Sequence, residues 1–405
     1  MPVSRRTYLR RRIAVGTALV VLLSAFTYLP ITLLAPTKPA VATALSVATP
    51  ESTTVTVDWP GYGASAIGAV GFPGILATGG ETTPRPIASI TKIITVLVVL
   101  DKKPLAADAP GPNITMTQHD ASLYHQYFAR NGKVEPVRAG LVLTQRQLLD
   151  VVLISSANNY AETLGSWAFG SETAFLAAAK GWLADHQLSN TTLQDSSGMN
   201  PGNTSTASDL VELGKLALSN RTVAAIVSTK STTLPYIGHI TNTNELLGVD
   251  GFEGIKTGTL AEAGACLLFA DTITVDNTPI TVVGVVLGGT NHRSLNAAVR
   301  ALMASAVAGF QNVPLVSAGT PFYIYSTPWD QRARAVATKD ESVLVWAGSP
   351  VTQRVSTEEL TTASAGTMVG SVEFTVAGKT ITVPLALDSA LSDPGPWWRL
   401  TNPFG

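Results

Sequence analysis

A single cysteine, Cys266, stands among 405 residues. No disulfide can form within the chain, and no cysteine-rich metal site exists. The thiol lies in Gly264-Ala265-Cys266-Leu267-Leu268-Phe269, an apolar strand-like run that suits a core cysteine. Charge is scarce too: 14% of residues are charged, the net charge is −1, and no long basic run occurs beyond the N-terminus. Nucleic-acid binding therefore lacks its electrostatic footprint. His119 and His125, close to Tyr124 and Tyr127, have neither helical nor metal-ligand spacing and read as surface or rim residues. No Gly-x-Ser-x-Gly phrase surrounds any serine, which argues against a Ser-His-Asp hydrolase. Neither a metal nor a cofactor is expected.

What the chain does have is apolar mass. Hydrophobic residues make up 45%, and this length can hold two folded domains or three. Arg5, Arg6, Arg10, Arg11 and Arg12 precede a stretch without charge from Ile13 to Thr37. That stretch can cross a bilayer core, which needs about 20 apolar residues. Arginines before it place the N-terminus inside and the rest outside the cytoplasm. Residues 1–12 are thus expected as a cytoplasmic tail and 13–35 as a single-pass membrane anchor. Ala40-Val41-Ala42 also resembles a signal cleavage site, which would make the chain secreted. Residues 36–55, rich in Ala, Thr, Ser and Pro without periodicity, read as a tether.

From 56 to 315 the pattern is mixed. Short strands are expected between Trp59 and Ala77, then an apolar helix beginning near Ser89. Thr144-Gln145-Arg146-Gln147 fits a capping box opening a helix to about Ser155. Further helices are predicted from near Asn159, over Thr173–His186, and over Asp209–Ser219 with Ser205 as the cap. β-branched runs then predict an antiparallel hairpin, 265–275 and 278–287, turning at Asp276-Asn277. A helix from Ser294 to Phe310 returns over it. Helices gathered between strands of one antiparallel sheet make an α+β domain. Residues 316–405 read as a small all-β domain. Val372, Phe374 and Val376 alternate into a turn at Ala377-Gly378-Lys379, and Ile381, Val383 and Leu385 return. Pro384 is expected at an edge or a bulge.

Three phrases carry chemistry. Ser89-Ile90-Thr91-Lys92 heads the apolar run Ile93–Leu100, so Ser89 and Lys92 share one helical face. Alone, the pair also fits a capping serine with a snorkelling lysine. Ser156-Ala157-Asn158 falls where one helix gives way to the next, and Lys256-Thr257-Gly258 sits on the first hairpin strand. Together, in this order, they form the set found in penicillin-binding proteins and class A β-lactamases. The chemistry is coherent. Lys92 can deprotonate Ser89 only if neutral, and burial together with a second cation, Lys256, lowers its pKa. Ser156 can relay a proton to the leaving amine, and Asn158 can orient Lys92 and a substrate amide. Lys256 with the hydroxyls of Thr257 and Thr259 suits a substrate carboxylate. Gly258 lets a peptide pair with the strand edge. The backbone N–H groups of Ser89 and Thr259 can form an oxyanion hole.

From Pro84 to Phe310 the chain resembles the serine-type D-alanyl-D-alanine carboxypeptidases, the low-molecular-mass penicillin-binding proteins. The likeness extends to Ser196-Ser197-Gly198-Met199, Ser205–Leu210, Asn242–Leu247 and Gly251–Gly258. It implies a β-lactamase/transpeptidase-like fold and removal of terminal D-alanine from peptidoglycan stem peptides through an acyl-enzyme on Ser89. It also implies acylation by β-lactam antibiotics. Ala157 replaces the usual glycine of Ser-x-Asn, and the ending Pro394–Arg399 is too short for the family's C-terminal membrane helix. Two other readings remain: a class A-like β-lactamase, for which no Glu-x-x-Leu-Asn phrase is found, and a non-catalytic cell-wall scaffold. Because no metal-ligand spacing is found, D-alanine release is expected to persist in EDTA. Loss of activity on chelation, restored by zinc, contradicts the serine chemistry.

Overall fold

The structure, a computed structural model, describes residues 5–403; the first four residues of the expected cytoplasmic tail lie outside them. The chain opens with helix α1 (Arg5–Leu34) and strands β1 (Val41–Ala44), β2 (Ala64–Ala69) and β3 (Ala77–Gly80). Helices α2 (Thr91–Lys102), α3 (Gln118–Ala129), α4 (Gln145–Asp150) and α5 (Asn158–Phe169) follow. After them come α6 (Glu172–Asp185), α7 (Ala207–Ser219) and α8 (Arg221–Val227). Strands β4 (Phe252–Leu260), β5 (Gly264–Val275) and β6 (Thr278–Gly289) precede helix α9 (His292–Ala306). The last part holds β7 (Pro321–Ser326), β8 (Arg332–Ala337), β9 (Val351–Thr357), β10 (Met368–Val376), β11 (Lys379–Leu387) and helix α10 (Gly395–Thr401). Two compact units result: Thr54 to Gln311, and the chain up to Thr53 joined by the chain from Asn312 onward.

The first unit is α+β. Its antiparallel sheet has the order β4-β5-β6-β2-β3, so strands from both ends of the unit meet at β6. Asp276 and Asn277 both have positive φ, at 46° and 64°, between the paired Val275 and Thr278. This is the two-residue turn that matches strand twist, and Asp and Asn tolerate it best after glycine. Helix α7 packs on the sheet so closely that a β-carbon on Gly214 would lie 2.5 Å from Val283 Cγ1. Helix α2 is buried from Thr91 to Leu100, which explains its apolar run.

Most helix limits fall within a residue or two of those the sequence predicts. Thr144 and Gln147 do form a capping box, after which residues Val151–Ser155 widen into a π turn. The cap of α7 is Thr206, not Ser205. Thr206 Oγ1 accepts from Asp209 N, while the Ser205 hydroxyl is taken by Thr191 at 2.7 Å. Helix α9 starts at His292 because Asn291 caps it, and it ends at Ala306 before a short 3-10 turn.

The second unit is built on a six-stranded antiparallel sheet, β1-β7-β8-β11-β10-β9. Residues 41–44, expected within a tether, are instead an edge strand paired with β7 from Val41↔Ser326 to Ala44↔Tyr323. All four face solvent, so no alternation marks them; Ala40, which precedes them, is buried. Pro384 is likewise not on an edge strand, since β11 runs between β8 and β10. It is tolerated because the β8 ladder ends at Ala337↔Leu385, one residue short of it. There its missing N–H breaks no rung. Val372, Phe374 and Val376 are buried together as their alternation predicts. Phe374→Ala is expected to cost this unit about 3–5 kcal/mol, read as an early transition in denaturant unfolding; an unchanged curve contradicts the packing.

Candidate active site

Ser89 lies in a single 3-10 turn, Ala88–Ile90, that leads directly into α2. Its neighbours Ala88 and Ile90 are buried, while Ser89 is only half-buried. Ala88 has φ +46°, a left-handed conformation uncommon for a residue with a β-carbon. Such strain persists only where surrounding packing imposes it, and here it sits one residue before the serine.

One turn further on, Lys92 is fully buried. Its Nζ donates to Ser89 Oγ at 2.9 Å, to Asn158 Oδ1 at 2.6 Å and to the Ser197 carbonyl at 2.5 Å. Burial holds its pKa well below the ordinary lysine value, and the charge of Lys256 lowers it further. Asp195 opposes this but does not reverse it. The carboxylate is already engaged by N–H groups of Ser197, Gly198 and Asn200. Two acceptors, Asn158 Oδ1 and the Ser197 carbonyl, therefore aim the amine at Ser89, and in the neutral form, which the site favours, its lone pair can accept from the Ser89 hydroxyl.

Ser156 ends the π turn in the left-handed region, at φ +68°, and reverses the chain so that Asn158 opens α5. Both are nearly inaccessible to solvent. Asn158 N donates to the Lys133 carbonyl at 2.8 Å, and Asn159 clasps Glu135 through both its amide groups. The loop carrying Lys133 is thereby tied to the head of α5. The hydrogen bonds that join Ser89, Lys92 and Asn158 do not include Ser156.

Strand β4 brings the third group. It is the edge of its sheet, and Lys256 on it is 1% exposed. Burial and the nearby Lys133 charge push its pKa down to about 7, and its Nζ donates to the Thr257 carbonyl at 3.1 Å. A β-carbon on Gly258 would lie 2.9 Å from Ile87 O and 3.3 Å from Ser89 N. Only a glycine lets the strand edge pass so close to the serine's turn. Thr257 Oγ1 shares a 2.5 Å hydrogen bond with Thr243, and Thr259 Oγ1 a 2.7 Å one with His292 Nε2.

The structure thus gathers Ser89, Lys92 and Asn158 by direct hydrogen bonds and Lys256 by charge. It also adds residues that motif reasoning missed. Asp195 and Asn203 fold the 195–203 loop, whose Ser197 carbonyl holds Lys92; Asn203 Nδ2 reaches Thr91 Oγ1 at 3.1 Å. The phrase Ser196–Met199 had marked this loop without giving it a role. Thr243 lies in the Asn242–Leu247 phrase, likewise marked without a role, and His292 lay hidden because its partner Thr259 is far away in sequence. Glu172, whose pKa burial raises to about 7, accepts from Ser196 N and Oγ behind the same loop. His119 and His125 are exposed, but Tyr127 is buried and donates to Glu162 at 2.6 Å.

Lys256 titrates near 7 folded and near about 10.4 unfolded. Between these values the unfolded chain holds the extra proton, so stability rises with pH through that window. Lys256→Met is therefore expected to raise Tm most at and below pH 7, with the gain fading to nothing by about pH 10. A pH-independent difference in thermal melts contradicts the shift.

Residues 73–291 match the family model described as D-alanyl-D-alanine carboxypeptidase, peptidase family S11. The chain is 29% identical over 211 residues to a D-alanyl-D-alanine endopeptidase of Escherichia coli strain K12. That alignment covers 49% of this chain and 63% of the relative, so the chain spans a little under two thirds of that protein's length. Identity to a D-alanyl-D-alanine carboxypeptidase of Streptomyces sp. strain K15 is 32% over 237 residues, covering 53% of this chain and 77% of the relative. A peptidoglycan synthesis regulatory factor from Streptococcus pneumoniae shares the fold. It superposes with a TM-score of 0.58 at 22% identity, covering 84% of this chain and all of that one. With the match over 73–291 spanning the serine, lysine and asparagine of the cleft and the Lys-Thr-Gly strand, the chain belongs to the D-alanyl-D-alanine carboxypeptidase family of serine peptidases.

Proposed function

We propose that the chain removes terminal D-alanine from peptidoglycan stem peptides through an acyl-enzyme on Ser89, and that penicillins acylate the same serine. The observation that carries this reading is the buried Lys92 amine, 2.9 Å from Ser89 Oγ and held well below its ordinary pKa. A neutral amine at that distance can take the hydroxyl proton as Oγ attacks the carbonyl carbon.

The Oγ–C bond forms and the carbonyl oxygen becomes an oxyanion, met by the backbone N–H groups of Ser89 and Thr259. Each such donor is worth about 3 kcal/mol of barrier. The C–N bond then breaks, and the proton from Lys92 passes to the leaving amine of D-alanine, directly or through Ser156. Water attacks the acyl carbon, returns a proton to Ser89 by the same route, and frees the shortened peptide. Asn158 holds Lys92 in line throughout. Lys256 supplies the cation for the substrate carboxylate. The hydroxyls of Thr257 and Thr259, set by Thr243 and His292 behind them, complete that pocket. Gly258 leaves the β4 edge open to pair with the peptide backbone.

Helix α1 is long and apolar enough to cross a membrane. We read it as an uncleaved single-pass anchor with its arginines inside, which puts the peptidase outside the cytoplasm.

Ser89→Ala is expected to abolish both D-alanine release from a defined pentapeptide and covalent labelling by a fluorescent penicillin, with circular dichroism unchanged. A β-lactam adduct mapped by mass spectrometry to any other residue overturns the assignment.

A further inference from the structure

We propose that helix α10, with Trp397 at its exposed face, is a juxtamembrane clamp seated in the outer interface of the bilayer that α1 crosses. The inference rests on α1 being a retained anchor, and it adds where the C-terminus lies and what it touches.

The argument starts from length. Ile13 to Leu34 carries no charge. At 1.5 Å per residue these residues span about 33 Å, against a hydrocarbon core of about 30 Å. With Arg10–Arg12 at one interface, Leu34 reaches the other. Almost the whole of α1 is bare, as a lipid-facing helix is, and full protein cover begins only at Thr32, which is 4% exposed.

The cover is supplied by α10. Tyr28 Oη donates to the Leu400 carbonyl at 2.8 Å. The Arg399 guanidinium donates to the Ala35 carbonyl at 2.5 Å and to the Leu33 carbonyl at 3.4 Å. Carbonyls at the end of a helix have no partner within it, so Arg399 closes α1 as a cap in trans. Asp393 holds the same guanidinium at 2.6 Å. These bonds fix α10 at the level of residues 28–35, the depth where α1 leaves the hydrocarbon.

The side chains at that depth suit the place. Trp398 packs edge-on against Trp329, ring centres 5.5 Å apart, while Trp397 is 78% exposed. Tyr28, Trp397 and Trp398 are of the residue types enriched at membrane–water boundaries, where an apolar ring carries a polar atom. In water an indole so exposed gains nothing; in the interface it is buried. The chain leaving α1 also enters the β unit at once, since Ala40 is buried and Val41–Ala44 pair with β7. The β unit is therefore tied to the bilayer at two points, by the exit of α1 and by α10.

The test uses the full chain in nanodiscs of phosphatidylcholine and phosphatidylglycerol. A polarity-sensitive nitrobenzoxadiazole probe is placed by Trp397→Cys, by Leu22→Cys within α1, and by Thr380→Cys on exposed β11. The one native thiol, Cys266, is fully buried. At position 397 the emission shifts to the blue and is quenched at least twofold more by headgroup-proximal nitroxide lipids than by chain-end ones. At 22 the order reverses, and at 380 neither quenches. Adding Arg399→Ala with Tyr28→Phe returns the 397 probe towards the spectrum seen at 380 while the 22 probe is unchanged. A 397 probe that behaves as at 380, with 22 quenched, overturns the clamp and leaves the anchor standing. A blue shift at 397 without lipid quenching marks a protein contact and also overturns it. If 22 is unquenched, the anchor reading fails, and this inference with it.

Discussion

The site depends on the cost of burying a charged amine. Lys92 and Lys256 are both enclosed in the cleft, and neither amine is hydrogen-bonded to a carboxylate; the charge of Asp195 near Lys92 opposes its desolvation without reversing it. Desolvation is the largest influence on each, and a neighbouring cation adds to it: Lys256 for Lys92, and Lys133 for Lys256. An exposed lysine beside Ser89 would be an ammonium and could accept no proton. Enclosed among Ser89, Asn158 and the Ser197 carbonyl, it is aimed at the hydroxyl and disfavoured as an ammonium, which is what the proposed base requires. The fold is arranged to keep that enclosure: α2 is buried from Thr91 to Leu100, the 195–203 loop closes one side, and the edge strand β4 closes another.

Close approach of backbones makes the enclosure possible. Gly258 passes within reach of Ile87 O and Ser89 N, and Gly198, at φ +85°, lies so near the Ala88 carbonyl that a β-carbon would overlap it. These glycines press two segments against the strained turn before Ser89 from different parts of the chain. Any side chain there would push the loop or the strand away and let water reach Lys92. The hydroxyls of Thr257 and Thr259 are in turn held by Thr243 and His292, so the end of the cleft proposed to take the substrate carboxylate is also set from behind.

The groups proposed to react were legible as candidates in the sequence because each sits in a short local phrase whose spacing has a mechanical meaning. Ser89 and Lys92 are one helical turn apart, Ser156 and Asn158 flank a chain reversal, and Lys256 through Thr259 follow one strand. The antiparallel hairpins were legible for a similar reason: alternation and an Asp-Asn or Ala-Gly turn are local signals. What could not be read is what long-range packing decides. The Ser197 carbonyl on Lys92, Thr243 on Thr257 and His292 on Thr259 are backbone or common polar groups that leave no pattern. Strand β1 escaped because its four side chains all face solvent and its partner is nearly 300 residues away. The cap of α7 was misplaced by one residue because Ser205 and Thr206 are equally good caps until Thr191 claims one of them.

The central claim is that burial holds the Lys92 amine well below the ordinary lysine pKa. It is tested most directly by titrating the side-chain carbons of lysines labelled at Cε by nuclear magnetic resonance, with Lys92 assigned by its loss in Lys92→Met. The account predicts that the Lys92 resonance titrates well below the ordinary value of about 10.4. A Lys92 resonance that titrates with the surface lysines, near that ordinary value, would contradict it.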